Sequence, residues 1–265
     1  MKVLTATNDQ VDRMLALASY TNANHAEEYP IVLSLVGQPG IGKTAGCEAF
    51  GAAMQAELGE DEYGVWFLRT GSREVPELEG LPRIAQVDGH AVVKYAHPAD
   101  FPAMTWDKPG LVIIDEFDRQ TSPEAINVLG GFVLDGRIGS YVMPKKIQRV
   151  ATMNGSTDSY TLPLPEFVRQ RMCFIYVDAT SPTGWIKNYA EPFDIQASVQ
   201  RFIQENWAGI NKPAEFEDFA ADYCKYTRCA AFVSAIEKAA AVIGKSMQTA
   251  DIVPLMLQGY LGCAN

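Results

Sequence analysis

Several kinds of protein are ruled out by what this sequence does not contain. Its five cysteines, Cys47, Cys173, Cys224, Cys229 and Cys263, are an odd, scattered set without a C-x-x-C pair. That pattern argues against a disulfide framework and predicts reduced, mostly buried thiols. The three histidines are equally dispersed, so no zinc centre is expected. No uninterrupted apolar run approaches the about 20 residues a membrane span needs, and Asp9, Asp12 and Arg13 break the N-terminal stretch. A cytoplasmic protein without a membrane partner is expected. Basic residues are in deficit, 22 Lys and Arg against 32 Asp and Glu for a net charge of −10. Nonspecific nucleic-acid binding draws its affinity from clustered cations, so nucleic acid is not the expected partner. The one basic cluster, Lys145, Lys146 and Arg149, reads as a contact for an anion or as a solvated loop edge.

Apolar residues, in contrast, make up 48% of the 265, enough for a large core. Val11, Met14, Leu15 and Ala18 recur at helical spacing behind a possible N-cap at Asn8. An apolar run follows at 31–36, then Cys47, Phe50, Met54 and Leu58 at helical spacing, closed by Gly59. Further strands are predicted at 65–68, 111–114, 149–153 and 173–177, and a helix at 123–134 opened by Ser122 as N-cap and Pro123 at its first position. Alternation of strands with helices predicts a doubly wound parallel sheet with its ligand outside the strand C-termini. Asp88-Gly89 between two short apolar runs predicts a hairpin, and Gly139-Ser140 a smaller one. Past Ser181-Pro182 the pattern turns helical, at 195–207, 216–226, 230–243 and 252–261, which sets the expected boundary between a core at 1–181 and a small helical lid at 182–265.

The chemistry concentrates in Gly37-Gln38-Pro39-Gly40-Ile41-Gly42-Lys43-Thr44, which meets G-x-x-x-x-G-K-S/T at every specified position and follows the first apolar run directly. Such a loop curls so that its amide N–H groups, through Ala45, point at phosphate oxygens, and the next helix adds its positive N-terminus. Lys43 would reach the β- and γ-phosphates of ATP and the Thr44 hydroxyl would hold Mg²⁺. A second apolar strand ends in Asp115-Glu116; Asp115 would support the Mg²⁺ and Glu116 would polarise the attacking water.

With these motifs in this order, the chain resembles the AAA+ ATPases of the MoxR-like and dynein-related branch, from about residue 31 to 243. Ala151-Thr152-Met153-Asn154 is similar to the strand carrying the sensor-1 asparagine. The run Leu164 through Met172 is similar to the segment carrying an arginine that acts in trans, here Arg171 or Arg169. Arg228, in Tyr226-Thr227-Arg228-Cys229, is similar to the sensor-2 arginine of the lid. Gly155, Gln170 and Tyr226-Thr227 depart from the residues common at those places. The two hairpins fall where this branch carries its helix-2 insert and pre-sensor-1 elements. The resemblance implies a P-loop fold, Mg²⁺-dependent ATP hydrolysis, a homo-oligomeric ring, hexameric in expectation, and a client protein remodelled at the cost of ATP, often one with a von Willebrand type A domain. A nucleic-acid motor or loader of the same superfamily, and an ATP-gated scaffold with little turnover, remain open on the residues alone.

Overall fold

The computed structural model describes residues 6–24, 30–120, 122–154, 164–178, 181–191, 194–207, 234–243 and 249–261. Its centre is a five-stranded parallel sheet in the order β2-β5-β8-β1-β9, formed by β1 (Val32–Val36), β2 (Gly64–Arg69), β5 (Gly110–Asp115), β8 (Ile147–Met153) and β9 (Met172–Tyr176). Each pairing is parallel and in simple register, Leu33 with Val150 and Val32 with Met172 among them. β1, β8 and β9 are buried along their whole length, as strands covered on both faces must be.

Strand alternation sends side chains to two separate clusters. Leu33, Leu35, Ile113, Val150 and Ile175 pack on one face with Val11, Leu15 and Ala18 of α1 (Asn8–Asn24) and Cys47 of α2 (Lys43–Leu58). Val32, Val36, Val112, Ile114 and Phe174 pack on the other with Ile126, Leu129 and Phe132 of α4 (Pro123–Asp135). The sheet is therefore doubly wound, as the sequence pattern predicts. Each such aliphatic side chain contributes on the order of 1.5–3 kcal/mol when fully buried.

Local chemistry fixes the ends of these elements. Ser122 Oγ accepts from Ala125 N at 3.1 Å and caps α4, while Gly136, at φ 68°, closes it. For α1 the capping bonds are made by Thr7, the residue before the expected Asn8: Thr7 N donates to Gln10 Oε1 at 2.9 Å and Thr7 Oγ1 accepts from Gln10 N at 3.5 Å, a reciprocal box. A short helix without a sequence expectation, α3 (Val75–Glu79), follows Glu74, whose side chain and that of Glu77 form the same kind of box.

Both expected hairpins are present. β3 (Leu81–Val87) and β4 (His90–Ala96) turn at Asp88 and Gly89, with φ of 49° and 80°, the left-handed pair that a two-residue turn requires. β6 (Arg137–Ile138) and β7 (Tyr141–Val142) form the smaller one, anchored where Tyr141 packs on Phe101 and donates its hydroxyl to Pro102 O at 2.8 Å.

The basic cluster does not form a surface. Lys145 and Lys146 are exposed, but Arg149 is only 7% exposed on β8, and its Nη1 donates to Phe132 O at 3.3 Å, near the C-terminal end of α4. Burial pushes its guanidinium down to about 10, opposed by the nearby Asp135 charge. It satisfies a helix end instead of meeting an anion.

α5 (Glu166–Arg169) lies between β8 and β9, and after β9 come α6 (Pro182–Trp185), a wider helical turn at Ile186–Ala190, and α7 (Ala197–Glu205). Residues 234–243 and Val253–Leu261 are helical, and their Ile236, Ala239, Leu255 and Met256, with Ile252 just before the second, are buried in the same cluster as α1 and α2. Arg13 of α1 grips Asp251 with two bonds of 2.8 Å. The expected helix at 216–226 and Arg228 lie outside the described residues. Cys47 and Cys173 are buried free thiols. No helix among the described residues is long and apolar enough to cross a membrane.

Candidate active site

The strand order sets the site. β1 has β8 and β9 as neighbours, and β8 separates it from β5, so the parallel strands deliver the loop after Val36, the acids after Ile114 and Asn154 after Met153 to one end of the sheet. Open α/β sheets bind ligands in this position.

Only glycine fits the loop's turning points. A Cβ on Gly37 would lie 2.5 Å from Ile41 Cδ1 and 2.6 Å from Val177 O, and Gly40 and Gly42 have φ of 81° and 90°. Gly42 is the N-cap of α2 and offers no side-chain cap, which leaves the first-turn amides for an anion. Lys43 is 8% exposed. Its ammonium has three N–H donors, and they reach Gly37 O at 2.7 Å, Gln38 O at 2.9 Å and Asn154 Oδ1 at 3.2 Å. Burial pushes its pKa down to about 8 against the raising charges of Asp118 and Asp115, with Arg119 adding to the lowering. A phosphate oxygen would replace these neutral acceptors with an ionised one, adding charge–charge attraction to the ammonium's hydrogen bonds.

Asp115 is the hub. Its Oδ1 accepts from Thr44 Oγ1 and from Thr152 Oγ1, each at 2.6 Å, and its backbone oxygen accepts from Thr70 Oγ1 at 2.7 Å. Hard oxygens from Thr44 and Asp115 suit Mg²⁺. Among the described residues no group of three or more His, Cys, Asp and Glu could hold a metal, so a Mg²⁺ here would draw its other ligands from phosphate and water.

Glu116 has φ of 56°, left-handed for a side chain that prefers otherwise. The backbone is pinned in that shape: Glu116 N donates to Thr152 Oγ1 at 3.2 Å and Phe117 N to Thr152 O at 3.0 Å. Arg119 Nη1 bonds Glu116 Oε1 at 2.6 Å, and Asp118, 1% exposed, accepts from Asn154 N at 2.9 Å.

Lys43, Thr44, Asp115, Glu116 and Asn154 thus converge, as the motifs require. Arg169 and Arg171 do not join them. Met172 pairs with Val32 at the entry end of β1, four residues, or about 13 Å, from Val36 and the cradle. There Arg171 Nη1 faces both Asp135 oxygens at 3.4 Å, and Arg169 Nη1 lies 3.9 Å from Glu166. Thr70, Asp118, Arg119 and Thr152 have no sequence expectation attached. Thr152 sits two residues before Asn154 in the same strand, and Asp118 and Arg119 fall within one turn of Asp115. That proximity is the signal that could have found these three; Thr70, just past β2 and 45 residues from Asp115, carries no such signal.

No family model matches this chain, and no curated protein does. Among solved structures, the fold is similar to a candidate ATPase from Cytophaga hutchinsonii, with 16% identity and a TM-score of 0.41 over 71% of this chain and 49% of that one. The chain therefore spans about half the length of that protein. It is also similar to a point mutant of RuvB from Thermotoga maritima, with 15% identity and a TM-score of 0.45 over 88% of this chain and 69% of the other. Both likenesses are remote, and what the site does follows from its own geometry.

Proposed function

We propose that the chain binds ATP with Mg²⁺ at the C-terminal ends of β1, β5 and β8 and hydrolyses it to ADP and phosphate. The observation that carries this reading is the 2.6 Å bond between Thr44 Oγ1 and Asp115 Oδ1. It joins the two motifs, 71 residues apart in sequence, at the point where a divalent ion would sit. Gly37 to Ala45 would cradle the phosphates, Lys43 would neutralise the β- and γ-oxygens, and Thr44 with Asp115 would hold Mg²⁺, which supplies Lewis-acid charge stabilisation. Glu116 is the general base for the attacking water, and Asn154, tied to Lys43 and Asp118, orients that water. Positioning and charge neutralisation account for most catalysis of phosphoryl transfer.

The remaining positive charge comes from a neighbouring subunit. Arg171 stands at the other end of the sheet from its own cradle, which suits action on an adjacent copy and favours a homo-oligomeric ring, a hexamer in the branch the sequence resembles; Arg169 is the second candidate. Residues 182–265, with Arg228, then act as the lid over a core at 1–181, and the ring remodels a client protein, of which a von Willebrand type A partner is the kind implied. Exposed Leu81, Ile84 and Val93 on the β3-β4 hairpin suit contact with such a client.

Phosphate release by defined subunit mixtures tests the reading. Glu116→Gln alone should be inactive, Arg171→Ala alone should be slow, and mixtures of the two should regain part of the activity at shared interfaces. Normal turnover by Glu116→Gln would remove the assigned base, and absence of rescue at every ratio would remove the trans arginine.

A further inference from the structure

The carboxylate of Glu116 is engaged within its own turn. One carboxylate oxygen, Oε1, is bonded by Arg119 Nη1 at 2.6 Å. The other, Oε2, is pressed towards the loop after β2: a Cβ on Gly71 would lie 2.6 Å from Oε2, 3.1 Å from Glu116 Cβ and 3.3 Å from Arg119 Cβ. The carboxylate sits between a guanidinium and Gly71, where a side chain in place of the glycine would have to displace it.

The backbone beneath this contact is pinned, and the side chains are partly open to solvent. Arg119 N donates to Glu116 O at 3.0 Å, while Thr152 holds the backbone of Glu116 and Phe117. The side chains of Arg119 and Glu116 are 32% and 43% exposed, so solvent screens their attraction and the pair is easily broken. Arg119 also lies near enough to the cradle for its charge to act on Lys43. A doubly charged terminal phosphate offers several acceptor oxygens, for which a guanidinium's fork is better matched than for one carboxylate oxygen.

We propose that Arg119 is a nucleotide-sensing positioning residue: without a triphosphate it holds the Glu116 carboxylate against Gly71, and a γ-phosphoryl group draws the guanidinium away, releasing that carboxylate to take up water. This rests on the site being a nucleotide site. ADP has no phosphoryl group at the γ position to draw Arg119 across, so Arg119 returns to Glu116 once phosphate has left.

Equilibrium binding of ADP and of a non-hydrolysable β,γ-imido ATP analogue, both with Mg²⁺, tests the exchange without any turnover. Arg119→Gln should weaken analogue binding about tenfold or more, as expected on losing a charge-assisted bond, with ADP affinity unchanged within about twofold. Arg119→Lys should restore part of the loss. Glu116→Gln releases Arg119 in advance, so it should bind the analogue more tightly than wild type, by the fraction of molecules previously clamped, and this gain should vanish when Arg119→Gln is added. Equal weakening of both nucleotides by Arg119→Gln, no weakening at all, or a Glu116→Gln gain that survives the double substitution would overturn the proposal while leaving the nucleotide site intact. A wild-type protein that binds neither nucleotide would overturn the site reading, and the exchange with it.

Discussion

The turn at 115–119 and the hairpin at 81–96 are built on opposite principles. In the turn, Asp115, Glu116, Asp118 and Arg119 are each engaged by Thr44, Thr70, Thr152, Asn154 or one another. Glu116 keeps a left-handed backbone because these bonds over-determine it. In the hairpin, Leu81, Ile84 and Val93 are 66%, 80% and 62% exposed, and the strands are in register mainly with each other. The difference separates two kinds of evidence. A substitution in the turn alters chemistry through a connected network, whereas one in the hairpin has little to disturb within this chain. A functional effect of a hairpin substitution that leaves stability unchanged would therefore point to contact with another molecule.

The comparison breaks most readily at Lys43. Lys43→Ala removes the ammonium from a site otherwise left in place, and ATP affinity measured by calorimetry should fall at least about 100-fold. Unchanged affinity would mean the loop is only a strand-to-helix turn. Glu116→Gln should lower turnover by about 10²–10⁴-fold while ATP still binds, and a parallel loss of binding would show that the turn supports the cradle instead of the chemistry.

Smaller effects sharpen the contrast outside the site. Asp251 is held down to about 2 by its bonds to Arg13 and Gln10. A carboxyl whose folded pKa lies below its ordinary value near 3.9 stabilises above that value, and the contribution is lost as pH falls through about 2. The pair is partly exposed, so Asp251→Asn should cost less than about 1 kcal/mol at neutral pH, and wild type and variant should converge near pH 2 in urea titrations. A gap that persists at pH 2 would refute the ion-pair origin. Least of all, Ile84→Ser with Val93→Ser should change stability by no more than about 0.5 kcal/mol. A loss of 2 kcal/mol in the same titrations would mean that the hairpin packs on its own chain.

Much of this was legible in the sequence because it depends on near neighbours. Ser122-Pro123 opens α4 by local bonding, Asp88-Gly89 turns a hairpin by its own backbone preference, and Lys43 follows its glycines by fixed spacing. What the sequence hides depends on where the chain returns. Arg149 reads as one of three basic residues until β8 carries it beneath the end of α4. Thr152 reads as a strand residue until β8 lies beside β5 and its hydroxyl meets Asp115 at 2.6 Å. Asn8 reads as the cap by residue type, and only the bonds between Thr7 and Gln10 single out the residue before it. The helix α3 is five residues long, too short to show a period.

A structure of the protein with Mg²⁺ and a non-hydrolysable ATP analogue tests the central claim most directly. The account predicts that Lys43 Nζ leaves Gly37 O and Gln38 O for the β- and γ-phosphate oxygens, with the metal between Thr44 and Asp115. An analogue bound elsewhere, with Lys43 still on those two carbonyls and Thr44 still on Asp115, would contradict it.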